Sequence, residues 1–151
     1  ASAWALRAQP GDHLAVWGPR MAYDPPTADA SQLLVGDETG LPAIGAIVEA
    51  LPAGSRARVL VEVANAAERQ ALPSAADLAI TWLYRDGLPP GENDLLLDAV
   101  RATTFPDGPR YIWGGGEFRA MTAIKKYLQE ERGIDSGAIA ILNYWRQGGR
   151  H

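Results

Sequence analysis

The sequence predicts an α/β fold, a doubly wound five-stranded parallel sheet with helices on both faces. Two observations predict it. First, five short apolar runs alternate with segments of helical character, which is the signature of a parallel sheet joined by crossover helices. Right-handed crossovers wind such a sheet in both directions. Second, two of these runs end at small residues just before a helical pattern. They are Leu33-Leu34-Val35-Gly36-Asp37-Glu38-Thr39-Gly40 and Tyr111-Ile112-Trp113-Gly114-Gly115-Gly116-Glu117. In an open parallel sheet such junctions all lie at the carboxyl ends of the strands, where a crevice forms. Glycine suits that place because it lets backbone come close or take a positive φ.

The elements follow in order. Ser2 to Gln9 reads as a short helix. Gly11 to Pro19 reads as a turn, a half-buried strand with Leu14 and Val16, and a stop. Met21 to Ser31, with Pro25-Pro26, reads as a linker. Leu33 to Val35 is the first strand of the regular pattern. Leu41 to Leu51 is a helix, with Pro42 suited to its first turn. Arg58 to Val63 and Leu78 to Leu83 are strands, separated by a short helix or turn at Ala66 to Leu72. Arg85 to Glu92 is a loop. Asp94 to Thr103 is a helix capped by Asn93 or Asp94. Tyr111 to Trp113 is the fourth strand, and Gly114 to Gly116 its exit loop. Glu117 to Arg132 is the clearest helix, with Phe118, Met121, Ile124 and Leu128 on one stripe and Gly133 as its stop. Ala138 to Asn143 is the fifth strand, and Tyr144 to His151 a tail. Trp4, Trp17 and Trp113 are expected in the core.

Composition narrows the function. A length of 151 residues suits one ordinary domain, and 47% hydrophobic content suits a packed core. A net charge of −4 argues against general nucleic-acid binding. No apolar run reaches membrane-spanning length, so no membrane insertion is expected. The absence of cysteine removes disulfides, thiolate metal sites and cysteine nucleophiles, and fits a cytoplasmic protein. The two histidines, His13 and His151, lie at opposite ends, which disfavours a histidine metal site or a Ser–His relay. No catalytic and no metal-ligating residue is therefore assigned.

Four segments are candidate cofactor or substrate contacts. Asp37-Glu38-Thr39-Gly40 opens a helix, where free N–H groups attract anions; its two acids equally suit a helix cap. Gly114-Gly115-Gly116 serves either close backbone approach to a ligand or tight helix–strand packing. Arg85, beside Trp82 and Tyr84, is either a phosphate clamp or a solvated arginine. Tyr144, Trp145 and Arg146 follow the last strand, so the aromatics either cover a flat ligand or seal the sheet end. Lys125, Lys126, Glu130, Glu131 and Arg132 read as the solvated face of the long helix.

These residues resemble a known family. Gly36-Asp37-Glu38-Thr39-Gly40-Leu41-Pro42-Ala43-Ile44 is similar to the first nucleotide-domain motif of siderophore-interacting proteins, the ferric-siderophore reductases. The family commonly has alanine where this chain has Gly40. Trp113-Gly114-Gly115-Gly116-Glu117 resembles the second motif, Tyr144-Trp145-Arg146-Gln147-Gly148 the C-terminal signature, and Trp82-Leu83-Tyr84-Arg85-Asp86-Gly87 a further family segment. Together they cover nearly all of residues 11 to 148, in the family's order.

The resemblance implies a ferredoxin-reductase-like flavoprotein: an N-terminal β-barrel for FAD and a C-terminal domain for NADPH or NADH. Hydride would pass to the flavin, and single electrons to Fe(III) of a ferric siderophore, releasing iron as Fe(II). By the same resemblance Asp37 to Gly40 and Gly114 to Glu117 would line the pyrophosphate and nicotinamide crevice. Arg85 would be the candidate for an adenosine 2′-phosphate, which would favour NADPH. Tyr144 and Trp145 would lie near nicotinamide or flavin, and Arg146 would belong to a basic surface that attracts an anionic ferric siderophore. Ala1 to Ala5 is similar to the end of the flavin-pyrophosphate segment, and Gly11 to Pro19 to the barrel's last strand. The expected organisation is a barrel remnant over residues 1–20, a linker over 21–31 and an NAD(P)H-binding domain over 32–151. Such a piece would not hold FAD well, nor reduce iron, without the missing FAD-binding domain. Two other readings are the nucleotide domain of a different flavin reductase and a non-catalytic binding module of the same fold.

Overall fold

The computed structural model describes residues 2–15, 23–25, 27, 30–105 and 108–148. Five strands form one parallel sheet: β1 (Ser31–Gly36), β2 (Arg56–Val63), β3 (Asp77–Tyr84), β4 (Arg110–Glu117) and β5 (Ile139–Trp145), in the order β3-β2-β1-β4-β5. The chain runs outward from β1 to β3, then returns to β4 and continues to β5. The switch point therefore lies between β1 and β4, which pair from Ser31↔Arg110 to Gly36↔Gly115. In doubly wound sheets, ligands bind at the carboxyl ends beside such a point.

Strand alternation sends β1 side chains to two cores. Leu34 joins Val59, Val61, Val63 and Trp113 under helix α2 (Leu41–Ala50), which contributes Leu41, Ile44 and Val48. Leu33 and Val35 join Leu60 and Ile112 under helices α3 (Leu95–Ala102) and α4 (Phe118–Lys126), which contribute Leu96, Val100, Met121 and Ile124. Helices thus cover both faces, as expected for central parallel strands, which are apolar on both sides.

Several boundaries differ from expectation for identifiable reasons. β4 does not stop at Trp113; Gly114, Gly115 and Gly116 continue it, held by pairing to β1 on one side and β5 on the other. β5 likewise takes in Tyr144 and Trp145 rather than leaving them to a tail. The long helix begins one residue later, with Glu117 as its cap, and its last turn widens to a π turn over Tyr127–Glu131. Arg132 N–H reaches back to the Tyr127 carbonyl at 3.1 Å, and Gly133 then ends the helix at φ +62°. Phe118 leaves the buried stripe and is 36% exposed, while Met121, Ile124 and Leu128 are buried. Asn93, not Asp94, supplies the side-chain cap of α3, accepting from Leu95 N–H at 2.9 Å.

The N-terminal residues contain a single-turn helix, α1 (Ser2–Ala5), shorter than the Ser2 to Gln9 reading. Residues 6–15 carry no strand, and Leu14 is 65% exposed. The rest of the expected barrel strand, including Val16 and Trp17, lies outside the described residues. Trp4 is not a core residue: it is 40% exposed and belongs to neither core cluster among the described residues.

Candidate functional site

At the switch point the chain builds a network around one buried carboxylate. Asp37 leaves β1 just after its last paired residue, Gly36, and its side chain turns inward. Its Oδ1 accepts from the Thr39 backbone N–H at 2.8 Å and the Thr39 hydroxyl at 2.6 Å. Its Oδ2 accepts from Glu117 N–H at 2.9 Å and from the Trp145 indole Nε1–H at 2.8 Å. Its carbonyl accepts from Gly40 and Leu41 N–H, so the residue also starts α2. The cap reading of this acidic loop is the one realised for Asp37. Four donors thus satisfy the two carboxylate oxygens.

Glu117 is the second buried acid, 3% exposed. Its Oε2 accepts from Arg119 and Ala120 N–H at 2.5 and 3.1 Å, capping α4, and its Oε1 accepts from Gln147 N–H at 3.1 Å. The residues after β5 are thereby tied to the start of α4. Gly91, at φ +76°, brings the loop after β3 against the same side chain; a Cβ there would lie 2.8 Å from Glu117 Cγ.

The glycines of β4 are buried, and their missing side chains make room for this chain's own atoms. A Cβ on Gly114 would meet Ile141 and Met121, and one on Gly115 would meet Trp113 and Tyr144 at 3.0 Å. One on Gly116 would lie 2.8 Å from Asp37 Oδ2. The Gly40 Cα faces the Gly115 carbonyl, and a Cβ would come within 2.3 Å of its oxygen. These glycines are packed closely against the chain's own atoms.

β4–β5 pairing slips by one residue at the end of the strands. Gly116 pairs with Asn143 and Glu117 with Trp145, leaving Tyr144 as the extra residue. Bulges re-aim side chains beside functional sites. Here the Tyr144 ring lies over Gly115, meets Trp113 edge-on at 6.4 Å, and stays 45% exposed. Burial pushes its phenol pKa up. Trp145 is half-buried through its bond to Asp37, and Arg146 is exposed, its guanidinium 3.8 Å above the Phe118 ring.

Arg85 is neither solvated nor free. It is 6% exposed, with Nη1 donating to Glu38 Oε2 at 2.9 Å and to Glu62 Oε1 at 3.2 Å, while Nη2 donates to Glu38 Oε1. Asn93 donates to the same Glu62 oxygen at 3.2 Å. The hydrogen bonds with Glu38 do most to raise the Arg85 pKa, against desolvation. Burial alone would push Glu38 up, but bonding and charge from Arg85, with a backbone hydrogen bond, hold it below the usual glutamate value. Glu62, Asn93 and Gln147 were not among the residues expected here. Glu62 had one visible sign, a lone acid in the apolar run Val59-Leu60-Val61-Glu62-Val63.

The predicted residues thus gather at one sheet edge, in two groups. Asp37, Thr39, Glu117 and Trp145 form one network, with Tyr144 on its rim, and Glu38 joins Arg85 in the other. A separate cavity of about 190 Å³ lies at the opposite, amino-terminal edge, between Leu33, Arg58, Phe105 and Arg110.

Sheet order and helices on both faces define a doubly wound α/β domain. The family model for siderophore-interacting proteins matches residues 29–148, and the chain belongs to that family. It is 36% identical over 157 residues to an uncharacterized protein of Mycobacterium tuberculosis, covering 98% of this chain and 56% of that protein. It is 30% identical over 148 residues to the ferric vibriobactin reductase of Vibrio cholerae (96% and 54% covered). It is 32% identical over 149 residues to the NADPH-dependent ferric-chelate reductase of Escherichia coli (96% and 56% covered). Among solved structures, a siderophore utilization protein from T. fusca superposes with a TM-score of 0.79 at 39% identity, covering 97% of this chain and 56% of that one. The chain spans about half the length of these relatives.

Proposed function

We propose that the chain is the NAD(P)H-binding part of a flavin-dependent ferric-siderophore reductase working in the cytoplasm. One observation carries this reading: the bulge that exposes Tyr144 over Gly115, at the switch point between β1 and β4. The family assignment and the reductase names of two relatives support it.

The residues present fit a dinucleotide. Thr39 is exposed at the start of α2, where the helix dipole favours a pyrophosphate. Glu38 keeps part of its carboxylate in solvent, where it can accept from a ribose hydroxyl. The Tyr144 ring offers an aromatic surface for a flat ring, nicotinamide or flavin, with Trp145 anchoring the strand beneath. When bound, nicotinamide and flavin would supply hydride transfer and then one-electron steps to Fe(III), the substrate metal. The chain's own part is positioning: Asp37 and Glu117 fix the crevice floor, and the glycines let β4 pass close under it. Arg146 adds positive charge at the rim, suited to an anionic ferric siderophore. Most contacts to FAD are assigned to the half of the relatives' length that this chain does not span.

The test is a thermal-shift titration of the full-length protein with NADPH, NADH and FAD, followed by a ferric-siderophore reduction assay read by a ferrous chelator. Stabilisation by a nicotinamide nucleotide and flavin-dependent Fe(II) formation are expected. Absence of any nucleotide-induced shift would count against the enzyme reading and favour a non-catalytic module.

A further inference from the structure

Glu38, Glu62 and Arg85 cross the carboxyl edge of β1, β2 and β3, the half of a doubly wound sheet that receives the adenosine end of a dinucleotide. In such folds an acid there accepts from the ribose 2′-hydroxyl, whereas an arginine accommodates a 2′-phosphate. This chain has both, bonded to each other, so their arrangement decides which one a ligand meets. The Arg85 side chain is 5% exposed, and the Glu38 side chain is 36% exposed. Both terminal guanidinium nitrogens point at carboxylate oxygens, and Asn93 fixes Glu62 from behind. Two carboxylates against one guanidinium leave the cluster with a net charge of about −1.

We propose that Glu38 is the coenzyme-discriminating residue of this crevice and favours a nucleotide with a free 2′-hydroxyl, NADH over NADPH. The inference rests on the nucleotide-binding reading above. A ribose hydroxyl donates to the solvent-facing side of Glu38 and leaves the ion cluster intact. A 2′-phosphate meets that carboxylate first. To reach the buried Arg85 it must expel Glu38 from a part-buried, bidentate pair and take its place beside Glu62. Like charges brought together at a binding surface reject the wrong partner. This sets the chain apart from the NADPH dependence named for the E. coli relative.

The experiment measures dissociation constants of the full-length protein for NADH and NADPH by tryptophan fluorescence, with 5′-AMP and 2′,5′-ADP as probes of the adenosine end alone. The wild-type protein should bind NADH and 5′-AMP at least about tenfold more tightly than their 2′-phosphorylated counterparts. E38Q removes the negative charge while keeping a hydrogen-bonding group, and should bring the NADPH-to-NADH ratio to within about threefold of unity, chiefly by tightening NADPH. A wild-type preference for NADPH, or a ratio that E38Q leaves unchanged, overturns the role of Glu38 while leaving the nucleotide site standing. Failure of all four probes to bind overturns the nucleotide-binding reading itself. The wild-type ratio needs no variant, so an unstable E38Q protein still leaves the proposal open to refutation.

Discussion

The Trp145 indole donates to Asp37 Oδ2 at 2.8 Å, joining residues 108 positions apart in sequence. The bond ties the end of β5 to the end of β1 across β4. Removing it with Trp145→Phe should cost about 1–3 kcal/mol, because a buried carboxylate loses one of four donors. Asp37→Asn should cost more, about 2–5 kcal/mol, since an amide turns its NH₂ toward donors at Glu117 and Trp145 or at Thr39. Chemical denaturation of both single variants and the double variant checks this. The two effects should be strongly non-additive; additive losses would mean the bond does not couple the strands.

Glu38 also gives the fold an acid-sensitive joint. Its native pKa lies below the ordinary glutamate value, so its contribution is fully present above the unfolded-state pKa of about 4.3 and is lost as pH falls through the native value. The groups facing it are Arg85, which stays charged throughout, and Glu62 behind that guanidinium. The stability gap between wild type and Glu38→Gln should therefore hold above about pH 5 and narrow as pH falls below the unfolded-state value of about 4.3. Thermal melting across that range measures it; a constant gap would show that the Glu38–Arg85 pair adds no pH-dependent stability.

Gly40 meets the backbone of β4 directly. A Cβ at this position would lie 2.3 Å from the backbone oxygen of Gly115, which no side-chain rotation relieves. Gly40→Ala should force α2 away from β4 and cost about 1–3 kcal/mol, as overpacking does in well-filled cores. Gly54→Ala is a useful contrast: nothing lies within 4 Å of its Cβ, and any cost there comes from its φ of +86° alone. A neutral Gly40→Ala in urea denaturation would mean that α2 already has slack against β4.

The architecture was legible because central parallel strands and their crossover helices write themselves locally. Val59 to Val61 is apolar on both faces, and Met121, Ile124 and Leu128 recur at helical spacing. The site was legible only as an address. Gly114 to Gly116 read as a loop because glycine weakens a strand locally; pairing on both edges and the bulk of Tyr144, Met121 and Asp37 decided otherwise. Arg85 read as a lone cation because its partners come from positions 47 and 23 residues away. Trp4 read as core because tryptophan is usually buried, but it belongs to neither core cluster. Local pattern placed these segments at one edge of the sheet; long-range hydrogen bonds determined which of their groups are already engaged.

Glu117 provides the remaining test, because one side chain serves two elements. Its Oε2 caps α4 through Arg119 and Ala120 N–H, and its Oε1 holds Gln147 N–H beyond β5. Glu117→Ala removes the acceptors of all three hydrogen bonds and should cost about 1–3 kcal/mol, more than an ordinary cap, because the site is buried. Hydrogen exchange distinguishes the two roles. Loss of protection at Arg119 and Ala120 alone would reveal a simple helix cap. Simultaneous loss at Gln147 and at the Trp145 indole would show that Glu117 holds the aromatic rim in place. The second pattern is expected, since Gln147 follows Trp145 by two residues and its backbone anchor is the Glu117 carboxylate. Gln147→Ala keeps the backbone donor and should leave this protection intact.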